Sequence, residues 1–425
     1  MRATEVFTPN DFPQHTYVPR DDEGIEQRLR DVLDTPSEVI SVSGPSKSGK
    51  TVLVERIVGV DKVIRINGST LHAGDSLWDR LLDQLDVPLN VNSGSSLTLA
   101  GGVEGAAEGG VGLPLVASGK VSGKVTVSGA QQTTTGEQRG RSGMEQAVQI
   151  LSGSGIVVFI DDFHYIVGAE AQTQIARQIK AGAGRGIRFV TASVPHRSDD
   201  VVRANPELRG RIQAIDTKDW GLDDLVEIGE IGFPLLNLTV SRSDLLSLAR
   251  EASGSPQLMQ AMCLQVCFSA DHRERAASPT ALSINSELKK FVLEETSRRA
   301  DFSSLVRQMH AGPRTRGVER KVHSLIDGTD GDVYRAVLLA LAADPPTLVF
   351  SSRDLVDRVG RICTGEQPQN ASITRACQKM GGMALNQGGD ARILDWSDED
   401  EILEITDPYF LFYLRWSSKL AELGS

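Results

Sequence analysis

One stretch limits what this chain can fold into more than any other. Ser41-Val42-Ser43-Gly44-Pro45-Ser46-Lys47-Ser48-Gly49-Lys50-Thr51 matches the spacing G-x-x-x-x-G-K-[ST], with Gly44, Gly49, Lys50 and Thr51 in the required places. Glycines there let the backbone curl until successive N–H groups face one concave anion site at a helix N-terminus. Glu38-Val39-Ile40-Ser41-Val42 reads as a buried strand entering the curl, and Thr51-Val52-Leu53-Val54-Glu55-Arg56-Ile57-Val58 as an apolar-faced helix leaving it. Strand, loop and helix in this register predict a phosphate-binding loop on a parallel α/β sheet. The cradle would run from Gly44 through Pro45, Ser46, Lys47, Ser48, Gly49, Lys50 and Thr51 to Val52. Lys50 would reach the β- and γ-phosphates of a nucleoside triphosphate, and the Thr51 hydroxyl would hold Mg2+.

A second motif answers the first. Gly155-Ile156-Val157-Val158-Phe159-Ile160-Asp161-Asp162-Phe163-His164 is an apolar strand ending in two carboxylates. Such a strand delivers Asp161 to the C-terminal edge of the sheet, opposite Thr51, where it can hold the water shell of Mg2+. Asp162 is then placed to polarise the attacking water. Between the motifs lie a strand, Lys62–Asn67, and a helix, Ser76–Leu85, so a strand is expected between the two motif strands in the sheet. A helix around Gln172–Lys180 leads to a strand over Gly186–Ser193, where Thr191 or Ser193 is the polar residue expected near the γ-phosphate. Residues Val201–Asp216 then give a short helix that ends in Arg209 and Arg211 immediately before the last strand.

Residues 91–140 change character: rich in Gly, Ser, Ala, Thr and Val, they read as an inserted excursion, with Lys120–Ser128 alternating like an exposed strand of a hairpin. Beyond Trp220 four helical stretches follow: Leu222–Ile231, Ser243–Ala252, Pro256–Phe268 and Ile284–Arg299. Residues 300–331 are polar and locally basic and read as a linker or a solvated helix. Helices over Val333–Ala343, Ser352–Val359 and Asn370–Met380 precede two short strands, Ala391–Trp396 and Ile402–Ile405, a pattern that suggests a winged helix. The expected division is a lead-in over 1–37, a core over 38–220 carrying the insertion 91–140, a helical lid over 221–300, a linker over 301–331 and a winged-helix-like domain over 332–425. The fold class is therefore α/β: a P-loop NTPase parallel sheet with a helical lid and a C-terminal winged-helix-like domain.

Composition removes some function classes. A formal net charge of −11 opposes nonspecific coating of nucleic acid. No apolar run approaches the ~20 residues that span a bilayer, and the start has no apolar signal core, so no membrane partner and a cytoplasmic location are expected. Of the four cysteines, Cys263, Cys267, Cys363 and Cys377, the first two lie four apart on an apolar helix without nearby His or acidic partners and read as core thiols, and a reducing compartment is expected.

Taken together, these residues make the chain resemble the AAA+ and STAND ATPases, most closely the archaeal-type ATPases and their bacterial relatives. Tyr17-Val18-Pro19-Arg20 with Asp21-Asp22-Glu23 looks like the hydrophobic–Gly–Arg–Glu lead-in, with Pro19 in place of the family's glycine. The resemblance implies that Tyr17, Val18 and Arg20 cover the base and ribose; a surface turn before a packing helix is the plainer alternative. Leu208-Arg209-Gly210-Arg211 looks like the arginine-finger box of AAA+ proteins, implying that Arg209 or Arg211 completes a neighbour's site; pairing with Glu207 or Asp216 is the structural alternative. Gly254-Ser255-Pro256 is similar to the GxP motif of STAND lids, which implies that Pro256 lies near the nucleotide. Ile405-Thr406-Asp407-Pro408-Tyr409-Phe410 with Tyr413-Leu414-Arg415 looks like the closing segment of archaeal-type ATPases. One departure bears on rate: the family's second acidic residue is glutamate and here it is Asp162, one methylene shorter, which implies slow hydrolysis.

Two functions of different class follow. The first is an ATP- and Mg2+-dependent switch that assembles into a homo-oligomer on nucleotide binding and acts through a separate effector or sensor protein, a role the resemblance associates with signalling and defence against phages. The alternative is a DNA-handling ATPase, loader-like or transposition-regulator-like. Its expected recognition helix carries only Arg375 and Lys379, while the wing carries Asp395, Asp398, Glu399, Asp400, Glu401 and Glu404, the wrong sign for contact with phosphates. Protein contacts are therefore ranked above DNA.

Overall fold

Five short strands, four of them buried along most of their length, determine the architecture. In the computed structural model, which describes residues 1–20, 24–85, 111–116, 122–127, 143–194, 200–217, 220–314, 320–387 and 393–424, they form one parallel sheet. The strands are β1 (Val39–Ser43), β2 (Val63–Asn67), β3 (Val157–Asp161), β4 (Arg188–Ser193) and β5 (Ile212–Asp216). Their order is β2-β3-β4-β1-β5. β1 and β3 are buried throughout, as central parallel strands covered on both faces must be. A strand does separate the two motif strands, but it is β4, from after the second motif. The strand that lies between them in sequence, β2, sits at the edge beside β3.

The described residues divide into two compact units. The first comprises Arg20–Gly44 and Lys50–Thr217 and contains the sheet. On one face Ile25, Leu29, Leu53 and Val54 pack against Ile40, Val42, Phe159 and Val190. On the other, Trp78, Leu81, Ile175 and Ile179 pack against Ile64, Ile66, Ile160 and Phe189. Each such side chain contributes about 1.5–3 kcal/mol by leaving water, so the alternation of the strands between the two clusters fixes the register. In the inserted region, Val111–Val116 pairs antiparallel with Ser122–Val127, giving the expected hairpin; the rest of 91–140 lies outside the described residues.

The second unit comprises Met1–Pro19, Pro45–Gly49 and Lys218–Ser425. Helices Leu222–Leu235, Arg242–Ala252, Pro256–Ser269 and Ser286–Ser297 share one apolar core with Ala3, Val6, Phe7 and Val18. A second core gathers helices Val333–Ala342, Ser352–Ile362 and Asn370–Gln387 with the hairpin Leu394–Ser397 and Ile402–Ile405. A third strand, Val349–Ser351, pairs with Ile402–Ile405 and completes that small sheet. Residues 301–331 are not simply a linker. Helix Ser303–Ala311 buries Leu305, Val306 and Met309 in the second core, an apolar stripe that the surrounding basic residues conceal in the sequence. All four cysteines are free and buried, and burial raises each thiol's pKa.

Candidate functional site

The site in the sheet-bearing unit is built at the C-terminal ends of β1, β3 and β4. β1 delivers Ser43 and Gly44, and the Gly44 N–H donates to the Ser193 carbonyl at the tip of β4 (3.2 Å). Helix Lys50–Val58 then starts with Lys50 and Thr51. Lys50 is buried, 7% exposed, and its Nζ donates to the Gly44 carbonyl at 2.9 Å. Burial lowers its pKa, while the charges of Asp161 and Asp162 oppose that shift and favour the ammonium. Thr51 Oγ1 donates to Asp161 Oδ2 at 2.9 Å. Two motifs 110 residues apart in sequence are thus joined by one hydrogen bond.

Asp161 ends β3 with its side chain buried, and Arg65 of β2 donates to the same Oδ2 at 2.7 Å. The next residue, Asp162, adopts a left-handed backbone (φ 54°) that turns the chain sharply after the strand. Its carboxyl is pushed up to about 6, first by burial and then by the neighbouring Asp161 charge; Lys50 and Arg65 pull the other way. A carboxyl that titrates near neutrality is the property a general base requires. Gly68, just after β2, makes room for this turn: a Cβ there would lie 2.3 Å from the Asp162 carbonyl oxygen.

Of the two polar candidates on β4, Thr191 is committed to the sheet, donating to the Ile40 carbonyl at 3.3 Å. Ser193 is 3% exposed, and its Oγ has no hydrogen-bond partner among the described residues. The strand tip therefore carries a buried hydroxyl that is unused among the described residues.

The hydroxyl–carboxylate pair of Thr51 and Asp161 is a hard-oxygen donor set that fits Mg2+. Among the described residues no group of three or more His, Cys, Asp and Glu could hold a metal by itself. The remaining ligands of Mg2+ would be phosphate oxygens and water, the usual pattern for this ion.

Arg209 and Arg211 are both exposed. They occupy the turn before β5, and Arg211 lies at the start of β1, where its carbonyl accepts the Val39 N–H at 2.8 Å. β1 is 5 residues long, so about 15 Å of strand, at about 3.3 Å per residue, separates them from the phosphate loop. Of the acids named in the structural alternative, Glu207 pairs with Lys180 and also feels the Arg211 charge, and Asp216 accepts from Ser43 Oγ at 3.2 Å. Among the described residues neither arginine has an ion pair.

In the other unit, Val18 is a core residue packed with the helices, and Tyr17 is half-buried. Pro256 opens helix Pro256–Ser269, whose N-cap Ser255 accepts from the Leu258 N–H. The middle of the phosphate loop belongs here as well: the Ser48 carbonyl accepts from Trp220 Nε1 at 2.8 Å. Lys47 has φ 60° and pairs with Asp407 at 2.8 Å. Asp21, Asp22 and Glu23 lie outside the described residues. Arg65, Gly68 and Asp407 are the participants that the sequence reading did not single out as site residues. A charge in mid-strand, on the same face as Asn67, was the available signal for Arg65.

A five-stranded parallel sheet in this order, with a phosphate loop after the strand at its topological switch point and an acidic pair closing the strand two places away, has the architecture of a doubly wound α/β fold carrying a P-loop. No family model matches the chain. Over 104 residues it is 31% identical to Chaperone protein ClpB 2 of Parasynechococcus marenigrum, a match that spans 24% of this chain and 11% of that protein. Among solved structures it is similar to the Walker-type ATPase paby2304 of Pyrococcus abyssi, at 14% identity and a TM-score of 0.45, over 95% of this chain and 99% of that one. The Aeropyrum pernix ORC2 protein in its ADPNP–ADP complexes overlaps 99% of this chain and 97% of its own, at 13% identity and a TM-score of 0.46. The Thermotoga maritima RuvB Holliday junction branch migration motor overlaps 92% of this chain and 94% of its own, at 11% identity and a TM-score of 0.39. The class rests on sheet order and site chemistry rather than on these overlaps. No helix among the described residues is long and apolar enough to cross a membrane.

Proposed function

We propose that the chain is an ATP-binding and ATP-hydrolysing switch of AAA+/STAND type that assembles on nucleotide binding and acts through a partner protein. The observation that carries this reading is the convergence of Lys50, Thr51, Asp161 and Asp162 at one sheet edge, with Thr51 Oγ1 and Asp161 Oδ2 2.9 Å apart. Residues Gly44–Val52 hold the phosphates, with the Lys50 ammonium on the β- and γ-phosphates. Thr51 and Asp161 hold Mg2+, which when bound neutralises charge developing on the phosphates. Asp162 accepts the proton of the attacking water, and Ser193 offers its unused hydroxyl to the γ-phosphate. Tyr17, Val18, Arg20 and Pro256 frame the base and ribose in the assembled state. The C-terminal core, with three helices and a three-stranded sheet, is read as a winged helix used for protein contacts. Signalling or anti-phage defence in the cytoplasm is the setting that the resemblance favours.

Arg209 and Arg211 make the site intermolecular. They lie at the opposite end of β1 from their own phosphate loop and have no ion-pair partner among the described residues, so a neighbour's phosphates are the natural target. The test is mass by light scattering with MgATP, MgADP and no nucleotide, for the wild type and for Arg209→Ala and Arg211→Ala. Assembly with ATP that either substitution abolishes, at unchanged ATP affinity, supports the reading. A nucleotide-independent mass in all three proteins overturns it.

The DNA-handling alternative rests on Arg375 and Lys379, both exposed on helix Asn370–Gln387. Exposed Glu399, Asp400 and Glu401 beside the hairpin oppose it.

A further inference from the structure

The phosphate loop contains two lysines, and the structure uses them differently. Lys50 is turned to the Gly44 carbonyl and the acidic pair. Lys47 reaches a residue 360 positions away: its Nζ lies 2.8 Å from Asp407 Oδ1 and 2.9 Å from Oδ2. The same ammonium sits 4.2 Å from the centroid of the Tyr409 ring. Both partners are themselves fixed. Asp407 caps helix Pro408–Trp416, accepting the Tyr409 N–H at 2.9 Å, and Tyr409 is 6% exposed within the helical core. Further along the same helix, Arg415 is buried in a network with Glu251 and the Ala342 carbonyl. The receptacle for Lys47 is therefore a rigid, anchored helix end.

The backbone under this lysine is strained. Lys47 has φ 60°, the left-handed region that disfavours every residue with a Cβ. A non-glycine residue stays there only when its surroundings over-determine it. The ion pair and the aromatic face supply that constraint from one side of the loop, and the Trp220 bond to the Ser48 carbonyl supplies it at the next residue. All of these groups fall within one compact unit.

We propose that Asp407 and Tyr409 are positioning residues for the nucleotide site: they grip Lys47 and hold the loop in its phosphate-accepting curl. The inference rests on the reading of this loop as an ATP site. Because coupling between two sites is reciprocal, bound ATP must in turn steady the start of helix Pro408–Trp416. The C-terminal segment thereby senses occupancy of the loop.

The test measures MgATP affinity by calorimetry on the full chain. Asn caps helices as well as Asp does, so Asp407→Asn keeps the helix start and removes only the charge. It should weaken MgATP binding about tenfold, or ~1.4 kcal/mol, without contacting phosphate. Tyr409→Leu should weaken it similarly, and Tyr409→Phe, which keeps the aromatic face, should not. In a Lys47→Gly background, which removes the handle and relieves the strain, Asp407→Asn should have no further effect; this non-additivity marks the pair. MgATP should slow amide exchange over Tyr409–Trp416 in the wild type and not in Lys47→Gly. Full affinity in Asp407→Asn, or an Asp407→Asn loss that persists unchanged in Lys47→Gly, overturns the proposal. Lys50→Ala separates the two levels. If the wild type binds and Lys50→Ala does not, the site stands and only the positioning role is at risk. If the wild type does not bind, the site itself fails.

Discussion

Gly68→Ala is the substitution whose consequence the structure defines best. Gly68 follows β2 and faces the backbone of the second acidic residue. An added Cβ would lie 2.3 Å from the Asp162 carbonyl oxygen, 2.9 Å from its carbonyl carbon and 3.2 Å from Phe163 Cα. All three are backbone atoms, so no rotamer change relieves the clash, and the Asp162 turn must shift by roughly an ångström to restore normal contact. Overpacking of this kind costs about 1–3 kcal/mol. A displacement of about 1 Å at a group that orients the attacking water costs on the order of 100-fold in rate. Lys50 and Thr51 are on a different element, so ATP affinity should change little. The control is Gly182→Ala, where a Cβ meets the side chains of Trp78 at 2.7 Å and Phe189 at 2.9 Å in the same unit. The assay is steady-state phosphate release with thermal unfolding and ATP titration on all three proteins. Both variants should melt lower, and only Gly68→Ala should lose turnover by about two orders of magnitude at near-normal affinity. Equal turnover losses in the two variants, or full turnover in Gly68→Ala, would refute the placement of Asp162 at the reacting water.

Asp162→Asn should retain MgATP binding and slow hydrolysis by at least 100-fold; wild-type turnover in single-cycle phosphate release would remove Asp162 as the base. Ser193→Ala should weaken ATP binding about two- to tenfold, the loss of one hydrogen bond, and leave ADP affinity intact, checked by competitive titration; unchanged discrimination between ATP and ADP would return Ser193 to a packing role. Glu251→Ala removes the buried partner of Arg415 at 3.0 Å and leaves the exposed Asp344 at 2.6 Å, and should cost about 1.5–3 kcal/mol in urea unfolding; a loss below about 0.5 kcal/mol, the scale of an ordinary surface substitution, would show the network to be dispensable. The full chain should bind duplex DNA weakly at physiological salt, and submicromolar binding in a fluorescence titration would favour the loader reading.

What could be read from the sequence depended on how local the determining physics was. The loop and the acidic strand were legible because each is a continuous run whose spacing carries its own chemistry, and burial of β3 follows from the apolar run Val157–Ile160 and that of β1 from Val39, Ile40 and Val42 with small serines between and after them. The position of β4 between them was only partly legible, since adjacency in the sheet depends on which crossover packs where. Strand Val349–Ser351 is too short for alternation to show. The stripe of Leu305, Val306 and Met309 was masked by the basic residues around it. The grip of Asp407 on Lys47 was beyond reach, because nothing at either end of a separation of 360 residues signals the other. Lys47 could be named as part of the loop, but its ion pair could not.

The central claim is that Gly44–Val52 binds ATP through Lys50, and calorimetric titration of MgATP into the wild type and into Lys50→Ala tests it directly. Saturable binding by the wild type, with one ATP per chain, and its loss in Lys50→Ala at unchanged melting temperature is the expected result. Equal affinity in the two proteins, or no binding by the wild type, would contradict the account.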